Sequence, residues 1–226
     1  MFFDTNYLLL VMVPSLILSI GAQFFVRSAF SKWGKTRNSA GLTGLEIGER
    51  IKLSAGLMGV QFEGTPGELS DHFDPSSNVV RMSEDIATKP SVAAMAIIAH
   101  ELGHAQQYQE KSMLISLRSF LVPAMQFSPK IAYGLIFAGF IFNATGLLWA
   151  GIAFFAVVVG FMLLTLPVEF DASRRGMKLL EQTGIMSGQD ASGARQMLTA
   201  AALTYVAAFV SALLTLIYYI SVASRD

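Results

Sequence analysis

Residues 91–110 read SVAAMAIIAHELGHAQQYQE, and they hold the most chemically specific pattern in the chain, His100-Glu101-Leu102-Gly103-His104. On an α-helix of about 3.6 residues per turn, positions four apart share a face, so His100 and His104 can offer two imidazole nitrogens to one metal ion. Glu101 lies beside them, where a carboxylate can reach a metal-bound water and take its proton as general base. The flanks favour a helix: Pro90 suits its first position, and Val92, Met95, Ala96, Ile97 and Ala99 supply an apolar packing surface. Gly103 is a poor helix former, and its use is to let another backbone or a substrate come close. Two histidines four apart are often ordinary surface or core residues. This chain has only three histidines, however, and two of them fall in the pattern with the glutamate in place.

Composition bounds the class. Hydrophobic residues make up 53% of the 226 and charged residues 14%, with a mean hydropathy of +0.52, which places the chain among integral membrane proteins. The formal net charge is zero, so there is no basic footprint and no nucleic-acid partner is expected. The absence of cysteine excludes disulfides and thiolate metal sites, and leaves histidine and carboxylate as the ligands for any zinc.

Outward from the motif, the chain divides into five parts. Residues 1–26 begin with an apolar run whose only charge is Asp4, and residues 7–26 have the length of one spanning helix, with Pro14 as a possible kink. No basic segment precedes the run, so a retained anchor is expected rather than a cleaved signal. Residues 27–117 have the composition of a soluble domain. Within it, Thr43 is placed to cap a helix over residues 45–54 that closes near Gly56, residues 60–63 read as a short strand, residues 71–77 as a loop, and residues 78–83 as a second strand. That second strand either offers an edge for peptide addition beside the motif helix or simply packs against it. Residues 118–168 read as a transmembrane hairpin, since residues 131–167 carry no charge at all, with the turn at residues 143–146 or nearer residues 150–151. Residues 114–126, broken by Arg118 and Pro123, read as amphipathic or as the entry to the first hairpin span. Residues 169–196 form a loop or helix, and residues 197–220 a last span with Tyr205, Tyr218 and Tyr219 as interface residues. The expected fold is mainly α: about four transmembrane helices with a small α+β zincin-like domain carrying the HExxH helix.

A catalytic zinc needs a third protein ligand and an open position, and His2Glu is a standard set. Glu169 is the first acidic residue after the long uncharged run, just past Pro167. A carboxylate there is often plain interfacial polarity; beside an HExxH motif it becomes the candidate ligand. Asp171, two residues on, points elsewhere on a helix, and Glu110, six residues from His104, lies off the metal face. The metzincin extension fails, because Gln107 and Glu110 stand where Gly and His are required.

His100-Glu101-Leu102-Gly103-His104 followed by Pro167-Val168-Glu169-Phe170-Asp171-Ala172-Ser173, with an N-terminal MFFD, GLTG, and LSDHFDP ahead of the motif, resembles the bacterial YugP-type neutral zinc metallopeptidases over nearly the whole chain. It is also similar to the wider HtpX-like and CAAX-prenyl-protease-like membrane metallopeptidases, in which a glutamate of an E-x-x-A-D segment completes the site. The resemblance implies Glu169 as the third zinc ligand. Ser173 stands where the wider pattern has Asp, the residue that would contact a zinc-bound histidine.

The expected activity is a membrane-bound zinc metalloendopeptidase, with Zn2+ held by His100, His104 and Glu169 and lowering the pKa of its bound water toward about 7. Glu101 serves as base. His72, the remaining histidine, is a candidate oxyanion donor, although a loop histidine between Asp71 and Asp74 is more often a surface residue. The competing reading is an inactive membrane scaffold or regulatory subunit with a structural zinc; a structural site has no need of Glu101. The expected partners are the lipid bilayer, a peptide or membrane-protein substrate, and a membrane-protein partner or a second copy of the chain. Of 16 Lys and Arg, 10 lie in residues 27–118 and 4 in residues 174–195, with Lys130 near a membrane boundary and Arg225 at the end. The positive-inside rule then puts both segments on the cytoplasmic side of a bacterial inner membrane, with both termini outside.

Overall fold

The computed structural model describes residues 5–224; the expectations that rest on Asp4, on the rest of MFFD and on Arg225 lie outside the described residues. The elements run in the order α1 (Thr5–Trp33), α2 (Gly44–Ser54), β1 (Gln61–Gly64), β2 (His72–Asp74), β3 (Val79–Met82), α3 (Glu84–Thr88), α4 (Val92–Gln109), α5 (Met113–Ile141), α6 (Thr145–Thr183) and α7 (Gly188–Ala223). The chain is mostly helical with one small sheet. Among the described residues four helices, α1, α5, α6 and α7, are long and apolar enough to cross a membrane, which fits a membrane protein.

The chain folds as two compact units. The first takes in residues up to 23, 116–167 and from 203 onward. Its interior is made by Val11, Ile136, Leu148, Ile152, Tyr218 and Tyr219, and by Ala132, Phe155, Val159 and Ala212. Its outside is apolar as well: Ile17 and Ile20 are each 65% exposed and Phe120 77%, the pattern of helices solvated by hydrocarbon rather than water. In α1 the residues ahead of Pro14 form a π-helical turn, Leu8–Met12, with the Val13 N–H bonded to the Leu8 carbonyl oxygen. This wider turn eases the clash between a proline ring and the carbonyl four residues back, so Pro14 is absorbed without breaking the helix. The hairpin turn falls at residues 142–144, with Asn143 at φ +45°, the first of the two sites expected. Tyr218 and Tyr219 are buried rather than interfacial, and Tyr218 meets Tyr7 edge to face at 5.0 Å between ring centroids; Tyr205 remains more exposed.

The second unit comprises residues 24–115 and 168–202. Thr43 caps α2 with a full capping box to Glu46, and Gly56 follows the helix at φ +66°, as the sequence suggests. The sheet order is β1-β3-β2, with β1 parallel and β2 antiparallel to β3. This corrects two expectations. The strand at Val79–Met82 is central, so it offers no free edge. His72–Asp74, expected as loop, is one of the two edge strands, held by its ladder to β3 and by the Asp74–Arg81 ion pair at 2.8 Å. Three residues without a β-branched side chain carry little strand propensity of their own, and the neighbouring strand decides.

The motif helix α4 begins at Val92, two residues later than expected. Ser91 is its N-cap, accepting from the Ala94 N–H, and Pro90 precedes the cap, its carbonyl accepting from the Asn38 N–H. Met95, Ile98, Ala99 and Leu102 of α4 pack with Ile47 and Ile51 of α2, Val80 and Met82 of β3, and Leu179 and Leu180 of α6 in one core. On another side, Val92, Ala93 and Ala96 pack with Phe30, Trp33, Met197 and Ala200. Helix α6 supplies the other half of the site. Glu169 was expected on a loop or helix after the third span; it lies within the unbroken α6, Pro167 included.

Helices α4 and α6 meet through glycines. A Cβ on Gly103 would overlap the Ala172 carbonyl oxygen, and one on Gly176 would lie 2.6 Å from the Ala99 carbonyl oxygen and 2.9 Å from the His100 nitrogen. Gly103 therefore serves to admit another backbone. Because backbone atoms cannot swing aside, Gly103→Ala is expected to destabilise the fold by about 1–3 kcal/mol and to weaken metal binding, whereas Gly146→Ala, where a Cβ meets nothing within 4 Å, is expected to be neutral. Thermal unfolding in detergent and chelator competition measure both.

Candidate metal centre

On α4, His100 and His104 are one turn apart and their rings stack edge to face, 4.7 Å between centroids. Helix α6 brings in Glu169, whose Oε2 lies 3.4 Å from the Nε2 of His100 and 3.5 Å from that of His104. Ligand atoms of the three residues all lie within 4.8 Å of one another. Tetrahedral zinc with bonds of about 2.0–2.1 Å sets its ligand atoms ~3.4 Å apart, so these spacings fit.

The donor chemistry fits too. Glu169 Oε2 is buried and has no hydrogen-bond partner. An orphaned carboxylate oxygen is costly in a protein interior unless a cation meets it. Glu101 adds a second buried carboxylate, on the helix of the two histidines. Burial pushes its pKa up, opposed by the nearby His100 and His104, with the Glu169 charge adding to the rise. For His104, burial works against the charged form, yet the close approach to Glu169 and the charge of Glu101 outweigh it and raise its pKa. Two carboxylates and two imidazoles in this arrangement suit a divalent cation.

Each histidine is held from behind. His100 Nδ1 lies 3.1 Å from Ser173 Oγ, so the serine that departs from the wider pattern still reaches the ring. His104 Nδ1 lies 3.0 Å from Gln107 Oε1, and the fully buried Gln107 donates through Nε2 to the Val168 carbonyl and to Asp171 Oδ2, both at 2.9 Å. Asp171 is in turn paired with Arg174 and, at 2.7 Å, with Arg175, which also binds Glu110 at 2.6 Å. Asp171 and Glu110 thus stand outside the metal group, tied to arginine. Glu101 is oriented by the edge strand: its Oε2 accepts from the Phe73 N–H at 2.8 Å.

His72 does not join the three. Its side chain is exposed and its Nδ1 sits 2.8 Å from the Ser70 carbonyl oxygen. The contact at this part of the sheet comes from its neighbour's backbone. Sequence reasoning missed Gln107, which was weighed only as a failed metzincin position, and the Phe73 amide. A polar residue one helical turn beyond His104 was the available signal for the former; a main-chain donor leaves none.

A family model described as "Putative neutral zinc metallopeptidase" matches residues 8–224. The chain belongs to this family. It is 38% identical over 210 residues to "Putative membrane protease YugP" of Bacillus subtilis (strain 168), an overlap of 93% of each chain. No solved structure matches. Membership of a zinc metallopeptidase family implies Zn2+, and the His100, His104 and Glu169 group is the place among the described residues where such an ion fits.

Glu169→Ala is expected to lose most of the bound zinc, while Asp171→Ala retains one equivalent at saturating metal. Elemental analysis of the purified variants checks this, and equal retention in both would overturn the ligand assignment.

Proposed function

We propose that the chain is a multi-pass membrane zinc endopeptidase, with a zincin-like domain in residues 27–117 completed by Glu169. The observation that carries the reading is the buried, donorless Glu169 oxygen set between two imidazole Nε2 atoms, with Glu101 one residue from the first of them. An ion held here would supply Lewis acidity toward the scissile carbonyl and the attacking water. His100, His104 and Glu169 would hold it. Glu101 accepts the proton of the attacking water and returns it to the leaving amine. Its Oε2 is anchored on the Phe73 amide, which stabilises the ionised form against the effect of burial and leaves Oε1 for the proton. Peptides or membrane proteins are the proposed substrates.

Glu101→Gln keeps the size and the acceptor for Phe73 and removes the base. It is expected to bind zinc and fold as the parent does, with hydrolysis reduced by about 10²–10⁴, measured against a substrate the parent cleaves. Normal turnover in that variant would discard the mechanism.

The site is proposed to face the cytoplasm of a bacterial inner membrane. Two candidate spans, α5 and α6, separate the motif from Glu169 in the chain, an even number that returns both to one side, and the basic residues cluster in the same two segments. The native chain has no cysteine, so Ser77→Cys and Gln182→Cys are expected to resist an impermeant thiol reagent in intact cells and to react after permeabilisation. Labelling of both before permeabilisation would invert the orientation, and labelling of one alone would remove the shared site.

A further inference from the structure

We infer that Gln107 is a positioning residue that locks His104 into a single tautomer, with the proton on Nδ1, and ties it to the backbone that carries Glu169. The inference rests on the metal site proposed above, and it follows from donors and acceptors alone. One terminal atom of the Gln107 amide lies 2.9 Å from both the Val168 carbonyl oxygen and Asp171 Oδ2. A carbonyl oxygen can only accept, and Asp171 Oδ2 already takes a hydrogen bond from the Arg175 guanidinium. The amide atom between these two acceptors is therefore the nitrogen, and the orientation of the amide is fixed by chemistry rather than by choice. Its oxygen then faces His104 Nδ1 at 3.0 Å. Since that oxygen can only accept, Nδ1 must carry the proton, and in the neutral ring Nε2 is left with a free lone pair toward Glu169.

The two histidines are consequently unlike. His100 Nδ1 faces Ser173 Oγ, and a hydroxyl can give or take a hydrogen bond, so that contact leaves the His100 tautomer open. Gln107 also does what no carboxylate in its place could do. It accepts from the imidazole and at the same time donates across the helix interface, to the residue immediately before Glu169 and to the one two beyond it. Because Gln107 has no exposure to solvent, water cannot substitute for either set of bonds. The chain His104, Gln107, Asp171, Arg175, Glu110 runs unbroken from the metal group to exposed side chains.

The test uses the full chain in detergent or nanodiscs, labelled with ¹⁵N-histidine; three histidines make the spectrum assignable through His72→Gln and His100→Gln. In metal-free protein, at a pH above the imidazole titration, His104 is expected as one tautomer with Nδ1 protonated. Observation of Nε2–H in the parent overturns the proposal without any change at Gln107. Gln107→Glu keeps an acceptor for Nδ1 and should keep the tautomer, whereas Gln107→Met should give a mixture. Both variants lose the donors across the interface and are expected to bind zinc about 10–100-fold more weakly in chelator competition. Unchanged zinc affinity in both, or a single Nδ1–H tautomer in Gln107→Met, overturns it. These readings involve no substrate, so a failure of the peptidase assignment would show separately, as a protein that binds zinc through this network and cleaves nothing.

Discussion

The unpaired oxygen of Glu169 is the constraint around which the second unit is arranged. A carboxylate oxygen that is buried, meets no donor, and faces two imidazole nitrogens at 3.4 and 3.5 Å is unfavourable in an empty site and favourable around a cation. The surrounding features keep it there. The α4 core fixes the two histidines, Gln107 and Ser173 hold their rings from behind, and Asp171 is occupied by arginines so that it cannot compete for the ion.

Bringing Glu169 of α6 to within 3.5 Å of both histidines of α4 requires the helices to approach more closely than side chains normally permit. Gly103 and Gly176 remove the obstacle from both partners. Both glycines sit among site residues: Gly103 adjoins His104, and Gly176 packs on the backbone at His100. The helix propensity lost at two interior glycines, about 1 kcal/mol each relative to alanine, is set against the geometry gained.

Much of this was legible in the chain. His100, Glu101 and His104 declare themselves because the motif has a fixed spacing on a helix, and the uncharged run of residues 131–167 declares its spans because hydrocarbon tolerates little else. Glu169 was visible as an isolated acid after that run. The strand His72–Asp74 was not, because three residues set among turn-forming Asp, Pro and Ser carry no strand pattern of their own, and only the hairpin pairing to β3 makes them extended. Nor was the continuity of α6, where Pro167 and the return of charge suggested a break; a proline costs a helix one hydrogen bond and some crowding, and packing at residues 168, 172, 179 and 180, all buried, carries the helix through. Tyr218 and Tyr219 were misplaced for a related reason: composition shows that a residue suits an interface, while the neighbours that bury it appear only in three dimensions.

The bond from the Phe73 amide to Glu101 has a second effect, on association rather than on chemistry. An edge strand exposes a row of donors and acceptors that invites pairing with other chains, and proteins limit this with short or covered edges. Strand β2 is three residues long, and the amide of its middle residue is already spent on a side chain of the motif helix. Another polypeptide lying along that side finds almost no ladder to extend. The hydrogen bond that aims a carboxylate therefore also closes the sheet, on that flank, to the aggregation that open edges promote.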